Sequence, residues 1–254
     1  MIWQKVIASL FTFCLTIATA YGQIGGLRAF EFLETPNHAR VAGLGTVNVS
    51  SNAGDVNMVW QNPALLNSDM DGQISFSLNP YFADIYNSQI TYAKDFENLG
   101  IFSLGVSYLN YGQFEGNDNT GAATEDFSAS DYAIQISHSR EDGAFRYGAS
   151  VKFVANQISG FNQSALLADL GGAFIHPEKE LSFGLVIKNL GFFTSKYVEE
   201  ERNLPFDVQL GGTYKPEFMP FRFSITLNRL YQYDLSYFDE SLISEDNNVV
   251  FTDV

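Results

Sequence analysis

The sequence holds a single cysteine in 254 residues. Cys14 lies in "MIWQKVIASLFTFCLTIATAYGQ", where Lys5 precedes an apolar run from Val6 to about Ala20 and small residues stand at Ala20 and Gly22. A positive start, an apolar middle and a small-residue cleavage site make a secretory signal over residues 1–22, cut before Gln23. The run is shorter than the about 20 residues that a helical membrane span needs. Phe13 rather than a small residue precedes Cys14, which argues against a lipoprotein. The mature chain is therefore expected to lack disulfides, thiol catalysis and cysteine-based metal sites.

Basic residues are also scarce, with 14 Lys and Arg against 29 Asp and Glu. The formal charge of -15 becomes -16 when Lys5 leaves with the signal. No basic stripe is present to neutralise phosphates, which argues against nucleic acid as a partner. The three histidines, His38, His138 and His176, are scattered and lack metal-ligand spacing. "GLGTVNVSS" has no phosphate-loop lysine, and Ser50 and Ser51 have no nucleophile elbow around them. The acidic stretch "VEEERN" (198–203) and the pair Glu125 and Asp126 read as solvated loops. No catalytic residue, cofactor or metal is expected. After the signal, no apolar run is long enough for a membrane helix.

What is abundant is aromatic residues and glycine: 23 Phe and 13 Tyr beside 21 Gly. Segments of about ten residues with period-two patterning recur from residue 72, which predicts strands. In order they are "GQISFSLN" (72–79), "IYNSQITYAK" (85–94), "GIFSLGVSYL" (100–109), "DYAIQISHS" (131–139), "AFRYGASVKFV" (144–154), "SALLADLGGAFI" (164–175), "ELSFGLVIKN" (180–189), "FDVQLGGTYK" (206–215) and "FRFSITLN" (221–228). In the last, Phe221, Phe223, Ile225 and Leu227 share one face and Arg222, Ser224, Thr226 and Asn228 the other.

The links "DFENLG", "SREDGA", "HPEKE" and "KPEFMP" are short. Those between them are mostly long, as in "NYGQFEGNDNTGAATEDFSA" and "GFFTSKYVEEERNLP", with "NPYFAD" and "NQISGFNQ" as shorter members. Such alternation predicts an antiparallel transmembrane β-barrel of outer-membrane type over residues 72–254, about nine of whose strands are present. Its partners would be outer-membrane lipid outside and water inside. Lys152, Lys188, Asp207 and Arg222 stand opposite the aromatics and are expected to face the lumen, while Tyr86, Tyr108, Tyr147 and Tyr214 near strand ends suit interfacial girdles. A soluble lipid-carrying barrel, which also alternates, is the rival. Bacterial single-chain barrels close with an even strand number, so nine leads to the expectation that C-terminal strands are missing after "NRLYQY".

Residues 23–71 differ in kind, with apolar material outside any strand pattern and the phrase Trp60-Gln61-Asn62-Pro63-Ala64-Leu65-Leu66. They are expected to fold into the bore as a hatch, with Trp60, Asn62, Pro63 and Ala64 at its centre. The bland alternative is an ordinary N-terminal arm.

"EFLETPNHARVAGLG", "WQNPALL", "YLNYGQFEGNDNTG", "DYAIQISHS" and "LVIKNLG" occur in that order and resemble the PorQ family of the type IX secretion system. That family is related to the PorV proteins and, more distantly, to FadL-like fatty-acid transporters, which share an "NPA" phrase after an N-terminal hatch. The resemblance runs from about Gly25 to Val254. It implies a barrel of about fourteen strands in the bacterial outer membrane, of the Bacteroidetes type. It also implies a non-enzymatic role in protein secretion, docking a PorZ-like subunit near PorU and PorV in the attachment complex. A FadL-like channel for apolar small molecules is the alternative the same resemblance leaves open.

Overall fold

The computed structural model describes residues 28–118, 120–196 and 202–232. The expected signal over residues 1–22, most of the acidic stretch 198–203 and the tail after Gln232 lie outside the described residues.

Nine strands form one antiparallel sheet in sequence order. They are β1 (Ile74–Pro80), β2 (Tyr86–Phe96), β3 (Gly100–Phe114), β4 (Phe127–Asp142), β5 (Phe145–Ile158), β6 (Phe161–Ile175), β7 (Leu181–Ser195), β8 (Asp207–Tyr214) and β9 (Phe223–Leu227). Each predicted segment contributes one strand. Several strands are longer than their alternating cores: β3, β4, β6 and β7 reach 15 or 16 residues. Backbone pairing continues into the polar residues that sequence reading assigned to loops. Among the described residues β1 and β9 do not pair with each other, so the sheet is not a closed barrel.

Short links gather at one end of the sheet and longer ones at the other, with one correction. "NQISGFNQ" is not a loop: β5 runs to Ile158, β6 starts at Phe161, and Ser159 and Gly160 turn the chain at φ 48° and 82°. Positive φ at both central residues suits a two-residue hairpin, because its twist matches that of the strands.

Alternation sorts the side chains into two faces. Leu104, Val106, Ile134, Ile136, Val151, Leu185 and Ile225 are exposed on the outer face. Exposure there reaches 68% at Phe76 and 73% at Ile225, and nothing else in the described chain covers these residues. Tyr86 and Tyr108 lie on this face near the long-link end, Tyr147 and Tyr214 near the short-link end. The inner face is polar or small: Asn87, Gln89 and Thr91 on β2, Ser103 and Ser107 on β3, Gln135 and Ser137 on β4.

The hydrophobic core lies between the inner face and the N-terminal segment. Phe30, Phe32, Val59, Trp60, Leu66 and Met70 of the segment pack on Ala93, Ile101, Ala133, Val154, Ala165 and Leu167 of the strands. Burying a side chain of the Leu or Phe class contributes about 1.5–3 kcal/mol, so this contact is the main term holding the segment on the sheet. No helix among the described residues is long and apolar enough to cross a membrane.

Candidate functional site

The segment over residues 28–73 has little regular structure beyond 3-10 turns and one short helix, α1 (Ala39–Gly43). Three of its turns begin with a side-chain cap. Asp55 accepts from the Asn57 amide, Asn62 from the Ala64 amide and Asn67 from the Asp69 amide, at 3.0, 2.9 and 3.0 Å. Asn48 does the same in the preceding loop, where its Oδ1 accepts from the amides of Ser50 and Ser51 at 3.2 and 2.8 Å. Each Asx oxygen satisfies amides that have no helical or sheet partner. Compact turns without a sheet of their own become possible inside the molecule.

Asn62 is fully buried and acts in both directions. While its oxygen caps the Pro63–Leu65 turn, its Nδ2 donates to Val49 O at 2.9 Å and to Gly172 O of β6 at 3.3 Å, with Leu185 O of β7 at 3.5 Å. Pro63 fits the first position of that turn because its missing N–H would have had no partner there. Trp60 Nε1 donates to Thr91 Oγ1 of β2 at 3.0 Å, and the carbonyl of Trp60 accepts from Lys188 Nζ of β7 at the same distance. Ala64 is fully buried against Ala173. The four residues expected at the centre of the hatch thus lie together against the middle of the inner face.

The strands make room for this contact by omitting side chains. A methyl group at Gly171 would lie 2.0 Å from Asn62 Oδ1, and one at Gly184 would lie 1.9 Å from the carbonyl oxygen of Val49. Gly148 meets the Pro63 backbone in the same way, at 2.5 Å. Segment backbone therefore lies directly on strand backbone at Gly148 of β5 and Gly184 of β7, and the Asn62 side chain does so at Gly171 of β6, an approach that glycine permits. These glycines were not singled out in the sequence, although their position on the polar side of the alternation was legible there.

The charged residues expected in a water-filled bore are distributed otherwise. Lys152, Lys188 and Asp207 do lie on the inner face, but they are buried under the segment, at 2%, 7% and 7% exposure. Water is replaced by partners. Lys152 Nζ contacts Asp169 Oδ1 at 2.8 Å and donates to Asn189 Oδ1 at 2.5 Å. The Asn189 amide donates to Asp169 Oδ1 at 2.8 Å, and Ser150 Oγ to its other oxygen at 3.2 Å. Asp207 accepts from Gln209 Nε2 and from the Arg229 amide, both at 2.6 Å. The register shift opposite Asp169 and the positive φ of Asn189, 58°, bring that Asn into the cluster. A buried charge needs such pairing because its desolvation costs several kcal/mol.

Arg222 lies on the inner side of its strand but away from this cluster. It precedes β9 at the short-link rim, is exposed, and pairs with Glu180 at 2.9 Å, while Lys215 pairs with the other oxygen at 2.8 Å. The hydrogen bonds from Lys215 and Arg222 hold the Glu180 carboxyl below its usual range. Alternation assigned Arg222 its side of the strand but not its distance from the rim.

His38 is buried at the N-terminus of α1, and its Nε2 has no hydrogen-bond partner. Burial lowers its pKa from 6.5, with Asp55 opposing and Arg40 adding to the shift. His138 lies on the outer face, its Nε2 2.7 Å from Leu99 O, and His176 lies in the β6–β7 turn. Among the described residues no three His, Cys, Asp or Glu side chains converge as metal ligands would.

Compared with models of known protein families and with curated proteins, the chain matches none.

Proposed function

We propose that this chain is a non-enzymatic outer-membrane β-barrel whose N-terminal segment is a hatch, and that it docks a partner subunit at the cell surface. The observation that carries the membrane reading is the outer face, where rows of Phe, Ile, Leu and Val stay exposed along all nine strands. A soluble monomer rarely leaves a contiguous apolar patch beyond a few hundred Å². Lipid is the partner that matches such a surface, and the tyrosines toward both strand ends match two headgroup layers. Strands of 15 residues exceed the about 9–11 that cross a bilayer, leaving their long-link ends to stand above it. Among the described residues the edges of β1 and β9 are unpaired, and a barrel closes only when both are covered.

Docking as the role rests on the resemblance to the PorQ family. On that resemblance we read the protein as a part of the type IX secretion system that holds a PorZ-like subunit beside PorU and PorV. A hatch held by buried hydrogen bonds and charge pairs suits a part that presents a surface while its bore stays obstructed. A FadL-like channel for apolar molecules is the second reading. It is favoured by a cavity of about 920 Å³ at the long-link end, lined by Phe192, Phe193 and Phe206 with Arg28, Lys196 and Arg202.

The test is extraction of outer membranes with detergent, followed by capture of the full chain and of a variant lacking residues 190–204. Docking predicts that a PorZ-like subunit comes with the full chain and is lost from the variant. Uptake of a labelled fatty acid into vesicles carrying the protein, with no such subunit captured, replaces docking by transport. Recovery in the soluble fraction, with the same gel mobility before and after boiling, rejects the barrel itself.

A further inference from the structure

The N-terminal segment crosses the inner face from one end of the sheet to the other, and its contacts fix the direction. Odd-numbered strands run from the short links to the long ones, so the position of a partner along its strand says which end it lies at. At the start of the segment the Ala29 amide donates to Asn203 O of the β7–β8 link at 2.9 Å, and Phe30 packs on Phe193 toward the long-link end of β7, with ring centroids 6.0 Å apart. Asn37 lies at the same end on the far side of the sheet. Its carbonyl accepts from Asn79 Nδ2 of β1 at 2.6 Å and its Oδ1 from Asn87 Nδ2 of β2 at 3.1 Å. Ser50 and Asn52 are already at the short-link end. Ser50 O accepts from Ser182 Oγ, on the second residue of β7, at 2.6 Å, and Asn52 Oδ1 from Arg146, the second residue of β5, at 2.7 Å. The segment also leaves there, where Asp71 Oδ1 accepts from the Asp95 amide of β2 at 2.8 Å and β1 begins at Ile74.

The start of the segment is fastened where it enters. Glu34 pairs with Arg28 at 2.9 Å and with Arg229 at 3.5 Å, and Arg28 also donates to the Tyr231 hydroxyl. The turn Glu31–Glu34 is thereby tied to the residues that follow β9, while Ala29 is tied to the β7–β8 link. These ion pairs are partly exposed, so each is weak by itself and the fastening can open without disturbing the core.

We propose that the hatch is threaded through the wall from outside to inside, so that the N-terminus left by cleavage before Gln23 stands at the cell surface beside the β7–β8 link, latched there through Arg28, Glu34 and Arg229. The proposal rests on the barrel reading above, in which the long links are the outer ones. Length excludes a return to the other side. Five residues, 23–27, precede Arg28 after cleavage, and fully extended they reach about 18 Å. The 15 residues of β7 run about 50 Å between the two ends at about 3.3 Å each. The free end of the hatch and the link 190–204 therefore form one surface, and a partner that docks on the link meets both.

An epitope free of Lys and Arg is inserted after Gln23 of the full chain, and in a separate version between Glu178 and Lys179 of the β6–β7 link. Cells expressing each version are probed with antibody before and after permeabilisation, and insertion is checked by outer-membrane fractionation and heat-dependent gel mobility. The expected result is an N-terminal signal that is the same before and after, and a β6–β7 signal that rises many-fold on permeabilisation. The latch is read by trypsin on intact cells, which releases the N-terminal epitope by cutting after Arg28. Glu34→Ala should speed release several-fold, whereas Glu31→Ala in the same turn, at a side chain with no ion pair among the described residues, should leave it unchanged. Inserted protein whose N-terminal epitope is reached only after permeabilisation, or whose two epitopes are both reached on intact cells, overturns the threading and leaves the barrel reading standing. Equal release from wild type and Glu34→Ala overturns the latch. Protein that does not enter the outer membrane overturns both readings.

Discussion

Gly171 and Gly172 are neighbours on β6 with opposite faces, and they allow the contact between segment and sheet to be tested by one methyl group. Gly171→Ala places a carbon 2.0 Å from Asn62 Oδ1 and 3.1 Å from the Ala64 nitrogen. That oxygen has little freedom to retreat, because it accepts from Ala64 while the same amide group donates to Val49 and Gly172. Overpacking of this kind costs about 1–3 kcal/mol. Displacing the oxygen also loses the cap, worth about 1 kcal/mol. A total near 3 kcal/mol shifts the docked-to-undocked equilibrium by roughly a hundred-fold. Gly172→Ala meets nothing within 4 Å and should change stability by no more than about 0.5 kcal/mol. Trp60 supplies the assay, since it is buried at the contact and the other tryptophan, Trp3, lies in the expected signal. In detergent, Gly171→Ala should bring the red shift of Trp60 emission to lower urea, and proteolysis should release the segment earlier, while the β-sheet signal in circular dichroism persists. Equal urea midpoints for the two alanine variants would refute the argument that the close fit of Asn62 on Gly171 holds the segment in place.

The charge cluster and His38 give two more expectations. Asp169→Leu leaves Lys152 and Lys188 buried without the carboxylate between them and should cost about 3–5 kcal/mol, whereas adding Lys152→Met should recover part of that loss. A double-mutant cycle read by urea unfolding decides it, and additive losses would mean the pair is not coupled. The second concerns pH. His38 has its pKa lowered by burial, so the folded state favours neutral imidazole; its contribution is fully present above pH 6.5 and is lost as pH falls below that value toward the folded pKa. Segment docking, followed by Trp60 emission, should weaken on acidification below pH 6.5 in the wild type and show a flatter profile in His38→Gln, with identical profiles counting against it.

Strand positions were legible in the sequence because each strand has one greasy side; in "FRFSITLN" any other register would expose Ser224 to the apolar side. Strand ends were less legible, since backbone pairing in β3 and β7 continues where the hydrophobic signal has stopped. The β5–β6 turn could have been found from its Ser159-Gly160 pair, a dipeptide that marks tight turns. Alternation also placed Lys152, Lys188 and Asp207 on the correct face. It carried no information about what covers that face, so their burial under the segment was invisible, as was the rim position of Arg222.

The meaning of "WQNPALL" shows why the site is harder to read than the wall. Locally, Asn62 and Pro63 specify only a capped turn. The partners that make the turn a site, Gly172 and Leu185, are 110 and 123 residues away, and the room for it is provided by absent side chains at Gly148, Gly171 and Gly184. A wall strand carries its own pattern, whereas the segment's pattern is completed by the strands it lies on. The contact therefore depends on the pairing of β5, β6 and β7, and a substitution at one of those inner glycines acts on the N-terminal segment more than on the strand that carries it.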